Sequence, residues 1–384
     1  MARRLGDGGW SWFADARAVF HIGAHRRTYI GWVSRTGEIV VASFDHGTRH
    51  VEKTVLKHGL TVDDHNNPGL LVHDDGRISA FYCQHDGPHM WYRRTRHPED
   101  VRTWGPEHRF PRNTAHHFGY TYPIPLHLRA ENRTYLWWRG GNWWPAFARH
   151  TPGGRWSVAR NLLHIKDQRP YVKLHSNGED TIHIAYTEGN PGSFANSIYY
   201  LRYHADAFFH ADGTRVARLR DLPVAPPRGG RVYDVDSTGE RAWVWDVAAD
   251  FEGHPVVVFA TFPSGRAPVY HYAAWDGHAW HRHVVTDSGG GLPEGHYAAG
   301  ITLDHEDPRV VFLSRKIGGR FVVERWRTSD RGATWAHRAL SHQPGDAIRP
   351  ISPRNRADEL EVLWMQGTYD GFFEYHTNVM ARVP

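Results

Sequence analysis

The stretch Asp63-Asp64-His65-Asn66-Asn67-Pro68-Gly69 and, further on, Cys83-Gln84-His85-Asp86-Gly87 hold the densest set of proton-moving groups in this sequence. Histidine titrates near neutrality and can act as acid or base. Between them lie the apolar runs Gly69–Val72 and Ile78–Cys83, joined by His73-Asp74-Asp75-Gly76-Arg77. An Asp-Gly turn between apolar runs predicts a hairpin. A hairpin brings the residue before its first strand close to the residue after its second. His65 and His85 are therefore expected together at one sheet edge, placed for chemistry rather than packing.

The elements that must position them are strands. Short runs rich in Val, Ile, Tyr, Phe and Trp recur between Gly, Asp, Asn and Pro turns, and amphipathic helical patterns are almost absent. The runs form a repeating unit of an inner strand, a polar turn, a second apolar strand and a third strand, often closed by a Trp. Seven units can be marked, beginning near residues 19, 69, 122, 171, 245, 300 and 349. Their spacing of about 55 residues suits four-stranded blades. Thr328-Ser329-Asp330-Arg331-Gly332-Ala333-Thr334-Trp335 matches an Asp-box turn, with degenerate copies at 151–156 and 275–280. The expected fold is all-β, a single-domain seven-bladed β-propeller over residues 1–384, with a β-sandwich or two β domains as the competitor. A strand near residues 10–13 is expected to close the ring against the last blade, leaving no exposed sheet edge.

Composition excludes several classes. No apolar run approaches the roughly 18 residues of a membrane span. The net charge is +5, but basic residues are scattered among acids without a block, which argues against nucleic acid. The single Cys83 rules out an internal disulfide and a thiolate zinc cluster. No apolar segment follows Arg3 and Arg4, so no signal peptide is visible; the protein is expected to be secreted if a leader has been removed, and otherwise cytoplasmic. Abundant Trp, Tyr, His and Arg suit carbohydrate, since aromatic faces stack on sugars and Arg pairs with uronate carboxylates.

In a propeller, inner strands begin, and second strands end, on one face near the axis. Those positions hold His65 and His85, Tyr122 and Arg139, Tyr171 and Glu188, Trp245 and Thr261, Tyr297 and Arg315, and Arg349 and Gln366. Glycoside hydrolysis usually needs two carboxylates, which this face does not clearly supply. β-Elimination from a uronic acid needs a cation for the carboxylate, a base for the C5 proton and an acid for the leaving oxygen. Arg139, a histidine and Tyr122 can fill those roles, with Tyr120 close enough to compete for the tyrosine's part. Asn66, His117, Tyr120, Tyr171, Glu188, Tyr297, Arg315 and Arg349 are the expected substrate contacts. His116 and His117 sit in a loop that either lines the cleft or faces solvent. His281, His283, His296 and His305 are near one another in sequence and are the candidates for zinc. The insertion 206–244 either walls a pocket or forms a solvated loop.

Asp64-His65-Asn66-Asn67-Pro68, Thr121-Tyr122-Pro123 and Tyr135-Leu136-Trp137-Trp138-Arg139-Gly140-Gly141 resemble the BNR-4 repeat family. So do Arg169-Pro170-Tyr171-Val172-Lys173, Ile184-Ala185-Tyr186-Thr187-Glu188 and Gly300-Ile301-Thr302-Leu303-Asp304-His305. The family includes propeller polysaccharide lyases that cleave the bond from L-rhamnose to O4 of glucuronate, in ulvan or in arabinogalactan and gum arabic side chains. The resemblance implies a centre of His65, His85, Tyr122 and Arg139, with Arg139 neutralising the uronate and a histidine or Tyr122 moving protons. The expected partner is an acidic poly- or oligosaccharide of glucuronate and rhamnose, acted on by a monomer. No organic cofactor is needed, and a structural calcium or zinc is compatible. The rivals are a sialidase-type or rhamnosidase hydrolase, with Arg139, Arg315, Arg349 and Glu188 as a sialidase-like set, and a non-catalytic acidic-glycan-binding propeller.

Overall fold

The computed structural model describes residues 2–114, 118–356 and 360–383, and its strands form seven antiparallel sheets arranged as a propeller in one domain. Blade 1 comprises Ala18–Ile22, Arg26–Val33, Ile39–Asp45 and Val51–Lys57. Blade 2 is the opening hairpin, Gly69–Val72 and Ile78–Cys83, followed by Met90–Arg94 and His108–Arg109. Blade 3 has Thr121–Leu128, Arg133–Arg139, Pro145–His150 and Arg160–Asn161. Blade 4 starts with Tyr171–Ser176, Thr181–Thr187 and Ile198–His204. Blade 5 holds Arg241–Ala249, Pro255–Phe262, Val269–Trp275 and Trp280–Asp287. Blade 6 has Ile301–Leu303, Val310–Ile317, Arg320–Arg327 and Ala336–Ala339. Blade 7 is built from Asp346–Ile351, Leu363–Gly371 and Glu374–Arg382.

Sequence pattern follows position in the blade. A strand packed on both faces is almost entirely apolar, as in Pro255–Phe262, which is wholly buried; an outermost strand is not, as in Ala336–Ala339, which is wholly exposed. The Asp box forms as expected. Thr328 Oγ1 accepts from the Gly332 amide at 2.9 Å, Asp330 accepts from Thr334 Oγ1 at 2.6 Å, and Trp335 packs edge-on against Tyr272.

Three expectations need correcting. Ring closure is made by Ala2–Asp7, paired with Glu374–Arg382 as the outer strand of blade 7, and not by residues 10–13. Gly8, at φ +128 and so close to Val33 that a Cβ would sit 2.1 Å from its carbonyl oxygen, turns the chain inward. Residues 10–13 then enter the axis, where the three large side chains Trp10, Trp12 and Phe13 are buried. The insertion 206–244 is not a free loop. It extends blade 4 with Ala207–Phe209, Arg215–Arg218 and Gly230–Tyr233 to make a six-stranded sheet. Finally, Trp245 does not begin the inner strand of blade 5, which starts four residues earlier at Arg241; its ring stacks on Trp12 at 4.1 Å instead.

The inner strands also carry bulges. Pairing in blade 3 passes from Thr121–Arg139 directly to Ile124–Trp137, and in blade 7 from Ile348–Met365 to Ile351–Leu363. The residues squeezed out are Tyr122-Pro123 and Arg349-Pro350, with Tyr122 at φ +59 and Arg349 at φ +49. A bulge bends the strand and re-aims a side chain. These two re-aim a tyrosine and an arginine.

Candidate active site

The hairpin of blade 2 does what its sequence predicts. Asp64–Asn66 forms one helical turn before the first strand, capped by Asp63, whose side chain accepts from the His65 amide at 2.9 Å. His85 follows the end of the second strand, and its amide donates to Asn66 Oδ1 at 2.7 Å. The imidazoles of His65 and His85 stack face to face, 4.1 Å apart and 8° from parallel.

One carboxylate holds both rings. His65 Nδ1 donates to Asp63 Oδ1 at 2.7 Å and His85 Nδ1 donates to Asp63 Oδ2 at 2.8 Å. An ionised carboxylate only accepts, so both Nδ1 atoms carry hydrogen and neither Nε2 is used by Asp63. The two rings then differ in charge. Burial opposes charging of His65, but Asp63 and Asp64 outweigh it and raise its pKa to about 9. Burial, the His65 charge and Arg139 depress His85, against the pull of its hydrogen bond to Asp63. At neutral pH the pair is one imidazolium and one imidazole. The neutral ring, His85, is the more open, with 20 % of its side chain exposed against 6 % for His65.

Arg139 ends the second strand of blade 3. Its Nη2 donates to Asp86 Oδ1 at 3.1 Å and Thr121 Oγ1 at 3.2 Å, its Nε is buried without a partner, and its Cζ lies 4.9 Å from the Tyr122 ring centre. Tyr122 lies 5.5 Å from His65 and 5.3 Å from Phe13 between ring centres. Burial lifts the Tyr122 phenol well above its usual range, with Arg139 opposing, so it is protonated at neutral pH. Gly69 lets blade 2 approach this bulge: a Cβ there would sit 2.3 Å from the Pro123 carbonyl oxygen.

His65, His85, Tyr122 and Arg139 thus converge, and Tyr171 joins them, 6.3 Å from the Tyr122 ring and 5.9 Å from the Arg139 Cζ. The other expected contacts are placed differently. Asn66 is fully buried, clamping the His85 amide and donating to the Thr61 carbonyl at 2.8 Å. Tyr120 turns into blade 3 and donates to the Arg112 carbonyl at 2.5 Å, which leaves Tyr122 as the tyrosine at the histidines. Glu188 turns into blade 4, accepting from the Ser197 amide and the Tyr199 hydroxyl. Arg315 reaches out across its own blade to Glu324 at 3.1 Å. Tyr297 packs edge-on to Trp12 in the axial cluster. Arg349 is fully buried, held by Asp64, by the Tyr369 hydroxyl at 2.5 Å and by the Trp10 carbonyl at 2.8 Å. His116 and His117 lie outside the described residues.

The four histidines considered for zinc do not gather into one group. His281 contacts Asp276 at 2.6 Å, His305 contacts Asp246 at 3.1 Å, His296 packs on Tyr297, and His283 lies in the outer strand of blade 5. Among the described residues, metal-like groupings occur only at Asp63, His65 and His85 and at Asp250, Glu252 and His254. The first already has both carboxylate oxygens taken by imidazole N–H groups. A depression of about 1120 Å³ lies at the outer edge of blades 1 and 2 among Arg27, Glu99 and Arg102, remote in its lining from every residue of the histidine site.

Sequence reasoning missed Asp63, Asp86, Trp143 and Phe372. Asp86 (φ +51) joins Arg139 to the Trp143 indole N–H, 3.4 Å from its Oδ2. Phe372 stands edge-on to both imidazoles, at 4.9 and 6.1 Å, and its carbonyl accepts from the Asp64 amide at 2.9 Å. The available signals were a carboxylate two residues before His65, another directly after His85, and an aromatic pair at a hairpin tip.

A family model described as a BNR repeat-containing family member matches residues 27–288. The fold is similar to that of a polysaccharide lyase described as a PL25 ulvan lyase, with TM-score 0.76 and 14 % identity over 99 % of this chain and 94 % of that one. A second structure so described, with the same values, is bound to -[GlcA(1-4)Rha3S]-. The polysaccharide lyase Uly1 aligns with TM-score 0.63 and 12 % identity over 98 % of this chain and 92 % of that one. No curated protein matches the chain significantly.

Proposed function

This chain belongs to the BNR repeat-containing family, and we propose that it is a polysaccharide lyase cleaving L-rhamnose-α-1,4-D-glucuronate linkages by β-elimination. The observation that carries the reading is the single Asp63 carboxylate shared by two stacked imidazoles beside Arg139 and Tyr122. Arg139 faces the uronate carboxylate, offering the guanidinium edge that Asp86 and Thr121 leave unpaired, and lowers the barrier to carbanion character at C5. Neutral His85 takes the C5 proton on Nε2. The C5 electron pair forms the C4–C5 double bond as the C4–O bond breaks, and the Tyr122 hydroxyl protonates the departing rhamnose oxygen. In glucuronate the C5 hydrogen and O4 lie on the same side of the ring, so base and acid must share one face of the site. His65, charged and buried against both His85 and Tyr122, donates from Nε2 and stabilises the developing negative charge. Proton transfer from His85 back to Tyr122 resets the site.

The ligand bound by the similar ulvan lyase supports an acidic glycan of glucuronate and rhamnose, whether ulvan or the side chains of gum arabic. A sialidase-type reading has less support. Arg139, Arg315 and Arg349 are engaged by three separate carboxylates, Asp86, Glu324 and Asp64, and Glu188 is turned into its own blade. The test is ultraviolet absorbance of the conjugated 4,5-unsaturated uronate on gum arabic and, separately, on ulvan, with His85→Ala and Arg139→Ala in parallel. Absorbance that rises in the wild type and is lost in both variants is the expected outcome. A flat trace with free rhamnose released would sink elimination in favour of hydrolysis.

A further inference from the structure

Two exposed aromatic residues are linked to the proposed centre by chains of contacts. At one end Phe373, 60 % exposed at the tip of the blade 7 hairpin, packs at a tilt against Phe372 with ring centres 4.1 Å apart, and Phe372 stands edge-on to the two imidazoles. At the other end Phe118, 39 % exposed, stacks on Trp143 at 3.7 Å and 15°, and Trp143 reaches Arg139 through Asp86. Large apolar side chains open to water beside a cluster of titratable groups mark a surface that binds something. Trp143 adds an independent sign. It holds φ +64, a conformation disfavoured for bulky residues, and backbone outliers of this kind gather at ligand clamps.

The two ends differ in charge. Arg169 lies over the Trp143 ring with its Cζ 4.6 Å from the centre, whereas Phe373 is flanked by the exposed acids Asp370 and Glu374. We propose that the Phe118–Trp143–Arg169 stack is a subsite for an anionic sugar unit and that Phe373 is a subsite for a neutral sugar face, the two gripping a glycan on either side of the reacting uronate. The proposal rests on the lyase reading only for what lies between the two ends. Loss of one such aromatic ring is expected to weaken affinity by roughly two- to tenfold.

Phe118→Ala and Phe373→Ala, compared with wild type, are the test, read both by affinity electrophoresis in gels containing ulvan and by elimination kinetics. Both side chains are open to solvent, so the fold should tolerate their loss, and Phe373→Trp should restore what Phe373→Ala loses. The expected result is weaker retardation of each alanine variant and a KM raised by roughly two- to tenfold with kcat within about twofold. Arg169→Gln should weaken retardation at low salt and lose that effect at high salt, where screening removes the charge contribution. Retardation lost in the variants while the wild type gives no ultraviolet product would keep the subsites and sink the lyase reading. An unchanged KM and unchanged retardation in both alanine variants would overturn the subsites and leave the lyase reading standing. A wild-type chain that ulvan does not retard would also overturn them.

Discussion

Asp63 presents one carboxylate to two imidazoles, and the site's charge state follows from how they share it. Its own pKa is depressed, with burial opposed by His65 and then by the hydrogen bond from His85, so it stays ionised across the working range. For His65 the sign is that of a raised folded value. Its contribution to stability is complete below the ordinary 6.5 and is lost as pH rises through about 9. Asp63 contributes above its ordinary 3.8, and that contribution is lost as pH falls towards its depressed folded value. Activity should follow the same groups. The acid limb of kcat/KM reports protonation of His85 and should lie below the ordinary histidine value; the alkaline limb reports loss of the His65 proton near 9. Asp63→Asn removes the negative charge and leaves one acceptor oxygen for two Nδ1–H groups, so kcat should fall by roughly a hundredfold or more and the alkaline limb should move down. A pH profile whose alkaline limb stays put in Asp63→Asn would show that another group sets it. The two histidines were legible in the sequence because an Asp-Gly turn fixes which residues a hairpin brings together. Their shared carboxylate was not, since a residue before a strand can point its side chain in any direction.

The bulge in the first strand of blade 3 decides whether the tyrosine reaches the histidines. Tyr122 and Pro123 oppose a single position of the neighbouring strand, and Tyr122 takes φ +59, which swings its ring toward His65 and under Arg139. Blade 2 supports that bulge from the side, with Gly69 in contact with the Pro123 carbonyl. Gly69→Ala should therefore act through geometry. The Cβ must push either the Pro123 peptide or its own strand away, costing about 1–3 kcal/mol as overpacking does, and kcat should fall more than KM rises. A melting temperature and kcat both equal to wild type would show that the bulge does not depend on this contact. The blades themselves were legible because alternation and turn residues recur with each unit. What failed was inference from strand-end position to side-chain direction: Glu188 and Arg315 occupy the expected ends, but nearer partners, Tyr199 and Glu324, draw them into their own blades.

At the scale of the whole molecule the chain's first segment does two separate jobs. Ala2–Asp7 completes blade 7, and residues 10–13 fill the axis. Aromatic residues read equally well as a strand or as a plug, so the sequence pattern could not separate them. Trp12 stacks on Trp245, meets Trp243 and Tyr297 edge-on, and lies 5.4 Å from the Arg349 Cζ, while Phe13 supports Tyr122 and Tyr171 from within. Below them Lys173 donates to the Trp12 carbonyl and to Asp15, and Arg17 pairs with Asp15 at 3.1 Å, tying the plug to the far side of the channel. The two jobs predict different failures. Removing residues 2–7 exposes the edge of Glu374–Arg382, so the expected outcome is concentration-dependent aggregation with near-normal activity in whatever remains monomeric. Trp12→Ala leaves the ring closed and empties its centre. The cost should be about 3–5 kcal/mol, read as a lower urea midpoint, and kcat should fall because Phe13 and the tyrosines it supports lose their backing. If Trp12→Ala aggregated while the truncated chain lost its chemistry, the assignment of closure to the first strand and of the site's floor to the plug would be reversed.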